Sequence, residues 1–238
     1  MKKRIFVAVP VARQVEASMR ESLQVAMDTS QLCEFPMYPH ILMNDSDVVR
    51  VRGLQLSEFF AETTADFYIQ ISDDMVIGDC QPDRNIFDML VRHDKDFIGA
   101  CYAATCSPYK PTSRCADGRQ PMRGMGLQKM SLLSGGCVMH SRDCVARLIA
   151  KYRAECEVTG DCNPRMGKPV WMLHKQIIAT LPTGPKYLTE DYSICKRWQD
   201  MGGDVWADCD VTLRHIGKMA FEVPVIETKE MGTAKPCT

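Results

Sequence analysis

The sequence predicts an α/β protein in which helices flank a mostly parallel, doubly wound sheet. Short apolar segments rich in β-branched and aromatic residues alternate, over the first half of the chain, with longer segments of helical periodicity. One of these strands, Phe67–Ile71, runs directly into two adjacent acids, Asp73 and Asp74. Doubly wound sheets bind ligands beyond the carboxyl ends of their strands, so we expect a functional site at this point.

The first half of the chain supplies the alternating elements. Ile5–Val9 is the first predicted strand, and Pro10 ends it because proline lacks the N–H that a strand ladder needs. The further predicted strands are Ile41–Met43, Phe67–Ile71 with the apolar segment Met75–Ile77 behind it, and Phe97–Ala104, and the predicted helices are Gln14–Met27, Val48–Thr63 and Ile86–Val91.

The second half is less regular. Ser107–Gly126 has no periodicity, and we predict a long surface loop that moves near the substrate; an inert loop is the alternative. The secondary structure of Val170–Leu181 is ambiguous from the sequence. Gly202-Gly203 ends the last helix. The predicted strands are Lys129–Leu133, Cys137–Met139, Asp204–Ala207 and Val211–Leu213, and the predicted helices are Ser141–Tyr152 and Tyr192–Met201.

Composition excludes several classes of function. The chain has 238 residues, a net charge of −1 and a pI of about 6.5, so no basic surface predicts nucleic-acid binding. No apolar segment reaches the length of a membrane span. The segment after Met1–Arg4 is interpreted as the first core strand, not as a secretion signal. The 12 cysteines lack C-x-x-C spacing, so we expect reduced thiols and a cytoplasmic protein.

Asp73 and Asp74 lie between two apolar segments. A carboxylate in such surroundings needs a partner, because burial without one costs its hydration. A divalent cation is a natural partner, since hard cations prefer carboxylate oxygen. A turn with Asx-type hydrogen bonds is the alternative, and these residues alone leave both open. No GxGxxG motif or P-loop follows a predicted strand, so a dinucleotide or Walker site is not predicted.

Three short motifs, in this order along the chain, resemble those of GT-A glycosyltransferases. Ser72-Asp73-Asp74-Met75 resembles the DxD metal motif, with serine in its first acidic position. Thr189-Glu190-Asp191-Tyr192 resembles the xED motif that opens a late helix, and Arg214-His215-Ile216-Gly217 resembles the segment whose histidine often completes the metal site. The match runs from Ile5 to Gly217. A stand-alone domain of this kind is also similar to the glycosyltransferases of large algal viruses.

The resemblance implies a metal site and a donor-nucleotide site. Asp74 and His215 would bind Mn²⁺, which a histidine nitrogen favours, or Mg²⁺. The alternative for His215 is a hydrogen-bonded histidine at a strand end that binds no metal. The alternative for Arg50 and Arg52 is a solvated helix surface, and the alternative for Gly135 and Gly136 is a turn. The donor-binding candidates are Val9, Pro10, Arg50, Arg52, Ser72, Asp73, Gly135 and Gly136.

The resemblance also implies that Glu190 and Asp191 are the catalytic pair. Asp191 would be the general base that accepts the proton of the acceptor hydroxyl. The exposed N–H groups and the dipole of a helix N-terminus stabilise a carboxylate there as the anion. Helix capping without any catalytic role is the alternative for both acids.

The expected function is therefore metal-dependent transfer, with inversion, of a sugar from a nucleoside diphosphate donor, a UDP-sugar, to a glycan or glycoprotein acceptor. We expect one domain (1–238) with a donor half (about 1–105), an acceptor half (about 106–220), a tail (221–238) and a smaller mixed sheet in the C-terminal half. A sugar nucleotidyltransferase requires a Gly-rich basic loop after the first strand, and Pro10–Arg13 does not supply one. A non-catalytic nucleotide-sugar-binding module is a further alternative.

Overall fold

A computed structural model describes residues 1–11, 14–42, 45, 47–78, 80–105, 110–159, 168–181, 184–217 and 220–222. The strands within this part of the chain are β1 (Lys3–Pro10), β2 (Cys33–Glu34), β3 (His40–Leu42), β4 (Phe67–Ile71), β5 (Met75–Ile77), β6 (Phe97–Ala100), β7 (Arg114–Cys115), β8 (Leu127–Leu132), β9 (Cys137–Ser141), β10 (Glu157–Val158), β11 (Val170–Trp171), β12 (Ile177–Leu181), β13 (Gly184–Leu188), β14 (Val205–Asp208), β15 (Leu213–Ile216) and β16 (Ala220–Glu222).

Nine of these strands form a central sheet in the order β2-β1-β4-β9-β6-β14-β8-β7, with β3 also beside β1. β1 pairs in parallel with β2, β3 and β4, and β6 pairs in parallel with β14. β9 is antiparallel to both of its neighbours, and β8 is antiparallel to β14 and β7. All strands of the sheet except β8 and β9 therefore run in one direction, which confirms the predicted mostly parallel sheet.

Helices cover both faces of the sheet, as predicted. They are α1 (Ala17–Thr29), α2 (Val48–Glu62), α3 (Ile86–Arg92), α4 (Arg142–Cys156) and α5 (Glu190–Asp200). Successive side chains of a strand point to opposite faces. Phe6 and Tyr68 accordingly pack in the core under α2, α4 and α5, whereas Val7 and Ile69 pack in the core under α1 and α3. Local capping supports the assignment, because the Asp47 carboxylate accepts hydrogen bonds from two N–H groups in the first turn of α2.

Three small antiparallel sheets complete the described fold: β10 with β11, β12 with β13, and β16-β15-β5. In place of the expected smaller mixed sheet of the C-terminal half, the described residues form two antiparallel pairs and one antiparallel three-stranded sheet. The three-stranded sheet matters most for function. It joins β5, which follows the two acids Asp73 and Asp74, to β15 near the end of the described chain.

The structure differs from the prediction mainly in the second half. β15 begins at Leu213, so His215 lies inside a strand and not after one. β13 was missed because Gly184 and Pro185 are poor strand formers, but pairing with β12 compensates for this. The predicted surface loop 107–126 is also wrong in part, since its described residues include β7, where Cys115 is buried. Its residues 107–109, and the tail after residue 222, lie outside the described residues.

Membrane crossing can be judged for the described helices. None of them combines the length and the apolar character that a transmembrane helix requires.

Candidate active site

An aspartate and a histidine that are distant in sequence meet near the carboxyl end of β4. The antiparallel pairing of β5 with β15 sets Met75 opposite His215. Beyond that pair, the Ile216 N–H donates to the Asp74 carbonyl oxygen at 2.8 Å. Asp74 Oδ2 and His215 Nε2 consequently lie 3.0 Å apart. Main-chain pairing between two short strands therefore brings this carboxylate and this imidazole together.

The second ring nitrogen of His215 determines its tautomer. Nδ1 lies 2.9 Å from the carbonyl oxygen of Ala103, which can only accept a hydrogen bond, so Nδ1 carries a proton. Burial lowers the pKa of His215, but the hydrogen bonds to Asp74 and Ala103 outweigh burial and raise that pKa above its ordinary value. The Tyr102 ring supports the imidazole edge-on, at a centroid distance of 5.3 Å. Nε2 is thus held facing the Asp74 carboxylate and is the ring atom that could bind a metal.

This pair has the chemistry of an incomplete metal site. It offers one carboxylate oxygen and one imidazole nitrogen, and the Asp74 side chain retains 38% exposure. Across the described residues, no group of three or more His, Cys, Asp or Glu side chains is arranged to hold a metal ion. Asp74 and His215 therefore fit a divalent cation only if a bound ligand supplies the remaining oxygen atoms.

A cavity of about 150 Å³ opens beside Asp74. Four of the predicted donor-binding residues line it together with Asp74, although they come from three different elements. They are Pro10 at the end of β1, Arg52 on α2, and Ser72 and Asp73 after β4. Val11, Asp45, Val48 and Val51 complete the lining. The carboxyl ends of β1 and β4 thus form one pocket with the first turns of α2, which agrees with the site expected for a doubly wound sheet.

Two other predicted donor-binding residues lie elsewhere. The Val9 side chain is 1% exposed and belongs to the core on the α1 side of the sheet. Arg50 forms hydrogen bonds with the Asp45 carboxylate, its Nε lying 2.7 Å from Oδ2, and its side chain is 45% exposed. It does not line the cavity. The cause is helical geometry: Arg50 and Arg52 are two residues apart, so their side chains leave α2 on different faces.

The second acidic pair lies at the start of α5. Asp191 Oδ1 contacts an Nη atom of Arg52 directly, and Glu190 Oε1 lies 3.5 Å from the same nitrogen. The Arg52 side chain is 6% exposed, and those of Glu190 and Asp191 are 21% and 16% exposed. Thr189 makes no side-chain capping hydrogen bond to the helix. A single buried guanidinium on α2 is therefore the cation that both acids share.

Gly135 lies against Asp191 of one acidic pair, and Gly136 lies against the segment that carries the other pair, Asp73 and Asp74. A Cβ atom on Gly135 would lie 2.0 Å from Asp191 Oδ1, and one on Gly136 would lie 2.5 Å from the Tyr102 ring. The Gly135 carbonyl accepts from the buried Gln70 amide at 2.8 Å, and the Gly136 carbonyl accepts from the Ser72 N–H at 2.9 Å. A side chain at either position would therefore displace Asp191 or Tyr102, which glycine avoids.

Sequence reasoning missed three supporting residues: Gln70, Tyr102 and Ala103. Gln70 carried a usable signal, because it is the one polar residue of an otherwise apolar strand, β4. Its 2% exposure requires a buried hydrogen-bond partner, and Gly135 is that partner. Ala103 acts through its main-chain carbonyl, to which no sequence pattern points.

Comparisons with known proteins establish the fold. No family model and no curated protein matches the chain. The crystal structure of A197 from STIV is similar over 98% of this chain and 100% of that one, at 13% identity and a TM-score of 0.55. The structure of CMP:2-keto-3-deoxy-manno-octonic acid synthetase complexed with CTP is similar over 86% and 89% of the two chains, at 10% identity and a TM-score of 0.38. The crystal structure of 4-diphosphocytidyl-2C-methyl-D-erythritol synthase from Anaerococcus prevotii is similar over 68% and 81%, at 9% identity and a TM-score of 0.33.

The similarity to A197 shows a shared Rossmann-like α/β fold and no more, because the two sequences are so different. The TM-scores of the two synthases are too low to carry an argument about this chain. The resemblance to GT-A glycosyltransferases therefore rests on the sequence motifs alone.

Proposed function

We propose that this protein is a metal-dependent glycosyltransferase that moves a sugar from a nucleoside diphosphate donor, a UDP-sugar, to an acceptor hydroxyl with inversion. One observation carries the proposal: the cavity lined by Pro10, Ser72 and Asp73 includes Asp74, whose carboxylate contacts the imidazole of His215. A carboxylate and an imidazole beside a pocket at strand ends suit a metal that arrives with a diphosphate.

Asp74 and His215 would hold the metal, Mn²⁺ or Mg²⁺. When bound, such an ion neutralises the charge that develops on the diphosphate leaving group. The chain's own contribution is orientation. The Ala103 carbonyl holds the imidazole in the tautomer that leaves Nε2 available, as outer hydrogen-bond partners do in metal sites.

Glu190 and Asp191 would provide the base. Inversion in a single displacement requires one group to take the acceptor proton as the new bond to the sugar forms and the bond to the diphosphate breaks. Asp191 is the better placed of the two acids, because it lies against Gly135 and is held by Arg52. The acceptor, a glycan or glycoprotein, would approach from the half of the chain that contributes Gly135 and α5.

The alternative of the same fold is a nucleotidyltransferase that makes a sugar nucleotide, the reaction class to which the names of the two synthases point. That class requires a Gly-rich basic loop after β1, and the sequence from Pro10 to Glu16 contains no glycine.

We also propose a reducing compartment such as the cytoplasm. The described cysteines are free thiols, and all but Cys80 are buried.

Donor binding should depend on metal. We expect UDP to raise the melting temperature of the protein much more with Mn²⁺ than with EDTA, because a ligand stabilises only the state that binds it. Asp74→Ala should remove this difference and leave the fold of the ligand-free protein intact. Equal stabilisation with Mn²⁺ and with EDTA would contradict the metal site.

The reaction products distinguish the three classes. A panel of UDP-, GDP-, CMP- and dTDP-sugars with Mn²⁺ should yield free nucleotide by transfer or by slow hydrolysis of one donor. A parallel reaction with UTP or CTP and a sugar phosphate should yield no pyrophosphate. Pyrophosphate release would identify a nucleotidyltransferase, and metal-dependent binding without any turnover would identify a binding module.

A further inference from the structure

Arg52 touches both halves of the candidate site. Its side chain lines the cavity that contains Ser72, Asp73 and Asp74. The same guanidinium contacts Asp191 and, at 3.5 Å, Glu190. With 6% exposure the side chain is almost fully removed from water, so its few partners determine where it lies. One buried cation therefore joins the pocket for the donor to the acid pair for the acceptor.

The guanidinium has hydrogen-bonding capacity to spare. Arginine carries five N–H donors in a rigid fork and accepts no hydrogen bonds. One Nη atom of Arg52 serves both acids, whereas its buried Nε has no hydrogen-bond partner in the described part of the chain. Buried polar groups nearly always have a partner, so this donor points to a ligand with acceptor oxygens. Phosphate oxygens match the arginine fork in geometry and charge.

The contact with Arg52 also limits what Asp191 can do. The lone pair of Asp191 Oδ1 that accepts a hydrogen bond from the guanidinium is not free to accept one from an acceptor hydroxyl. Removal of the guanidinium would make that oxygen available. An anion in the cavity is well placed to cause this, because it would compete for the same cation at short range.

We propose that Arg52 couples donor binding to the release of the base: phosphate oxygens of the bound nucleotide take over the guanidinium and free the Asp191 carboxylate. The base is then engaged while the donor pocket is empty and available once a donor is bound. This inference rests on the proposed function and adds an order to it, since the acceptor reacts only after the donor has bound.

The coupling can be tested by isothermal titration calorimetry of UDP binding in the presence of Mn²⁺. The decisive result is whether Asp191→Asn raises or lowers the affinity for UDP. In Asp191→Asn the competitor for Arg52 loses its charge but keeps its shape. UDP should then bind about 5-fold more tightly or better, the lower end of ordinary coupling between sites. Arg52→Gln should weaken binding by roughly 10-fold, as for loss of one hydrogen bond to a charged group.

The double variant separates coupling from simple charge removal. If Arg52 carries the effect, Asp191→Asn should give no gain in affinity when Arg52 is already glutamine. Glu190→Gln is the matched control for the acids, and its gain should be smaller because its contact with Arg52 is longer. Arg147→Gln removes an arginine charge on α4, outside the site, and should leave UDP affinity within about 2-fold.

Three results would overturn the proposal: no gain in Asp191→Asn, a gain that persists in the Arg52→Gln background, or an equal gain in Glu190→Gln. If the wild-type protein binds neither UDP nor inorganic pyrophosphate with Mn²⁺, the proposed function and this inference both fail. Binding of UDP to the wild type without a gain in Asp191→Asn refutes the coupling alone and leaves the proposed function standing.

Discussion

Two acidic pairs, Asp73–Asp74 and Glu190–Asp191, lie close to the same end of the sheet. Each pair contacts a different basic residue. Asp74 of the first pair keeps 38% exposure and contacts a histidine, His215, that is 18% exposed. Asp191 of the second pair is 16% exposed and contacts Arg52, which is 6% exposed. A histidine can lose its proton and offer a lone pair to a metal, whereas an arginine cannot. The first pair is suited to bind a metal cation, whereas the second pair has a permanent cation that can hold either the carboxylate or a bound anion.

The two contacts, Asp74 with His215 and Asp191 with Arg52, are also formed by different means. Hydrogen bonding between β5 and β15 places Asp74 beside His215, so the main chain determines their distance. The second pair depends on side chains that reach from α2 to α5 across the site, with Gly135 providing the space. Substitutions should therefore affect the two pairs unequally, and the predictions below follow from that difference.

The largest effect should come from the base. Asp191→Asn keeps a side-chain oxygen near Arg52 but cannot take a proton, so we expect the transfer rate to fall by roughly 100-fold or more. Initial rates with a saturating UDP-sugar and acceptor measure this. A near-normal rate in Asp191→Asn with an inactive Glu190→Gln would transfer the role to Glu190. Near-normal rates in both variants would remove this pair from the mechanism.

The next effect concerns stability without ligands. Arg52→Met should lower the free energy of unfolding by about 2–3 kcal/mol, because it leaves two carboxylates without their cation. The loss stays below the roughly 3–5 kcal/mol of a fully buried pair, since both acids retain some contact with water. His215→Asn, at the more exposed pair, should cost about 1 kcal/mol or less. Urea unfolding of both variants measures the difference, and equal losses would contradict the contrast between the two pairs.

The smallest effect should come from the glycine that separates the pairs. Gly135→Ala would place a Cβ atom 2.0 Å from Asp191 Oδ1, so the carboxylate must move. We expect the transfer rate to fall about 10-fold, because a displaced base loses part of its alignment. The melting-temperature gain from UDP with Mn²⁺ should not fall, since Asp74 and His215 are not touched. A loss of that gain would show that the displacement reaches the Asp74–His215 contact.

The sequence motifs placed Asp74 and His215 together as predicted metal ligands, but no motif predicted the contact of Arg52 with Asp191. Pro10, Ser72, Asp73 and Asp74 line one cavity, and their roles in donor and metal binding stay predictions. Arg50 and Arg52 were indistinguishable in sequence, and only the structure separates the exposed partner of Asp45 from the buried partner of Asp191. The contact of Arg52 with an acid 139 positions away leaves no local pattern to recognise.

Local chemistry by itself determined the elements of this protein. A run of aromatic and β-branched residues set the strand Phe67–Ile71, Asp47 set the start of α2, and Thr189-Glu190-Asp191 marked the entrance of α5. Only the tertiary structure decided the pairings: β5 with β15, Asp74 with His215, and Arg52 with Asp191. The physical reason is the distance along the chain over which the interactions act. Strand and helix patterns arise from interactions between residues a few positions apart, whereas strand register and buried ion pairs depend on how the whole chain packs.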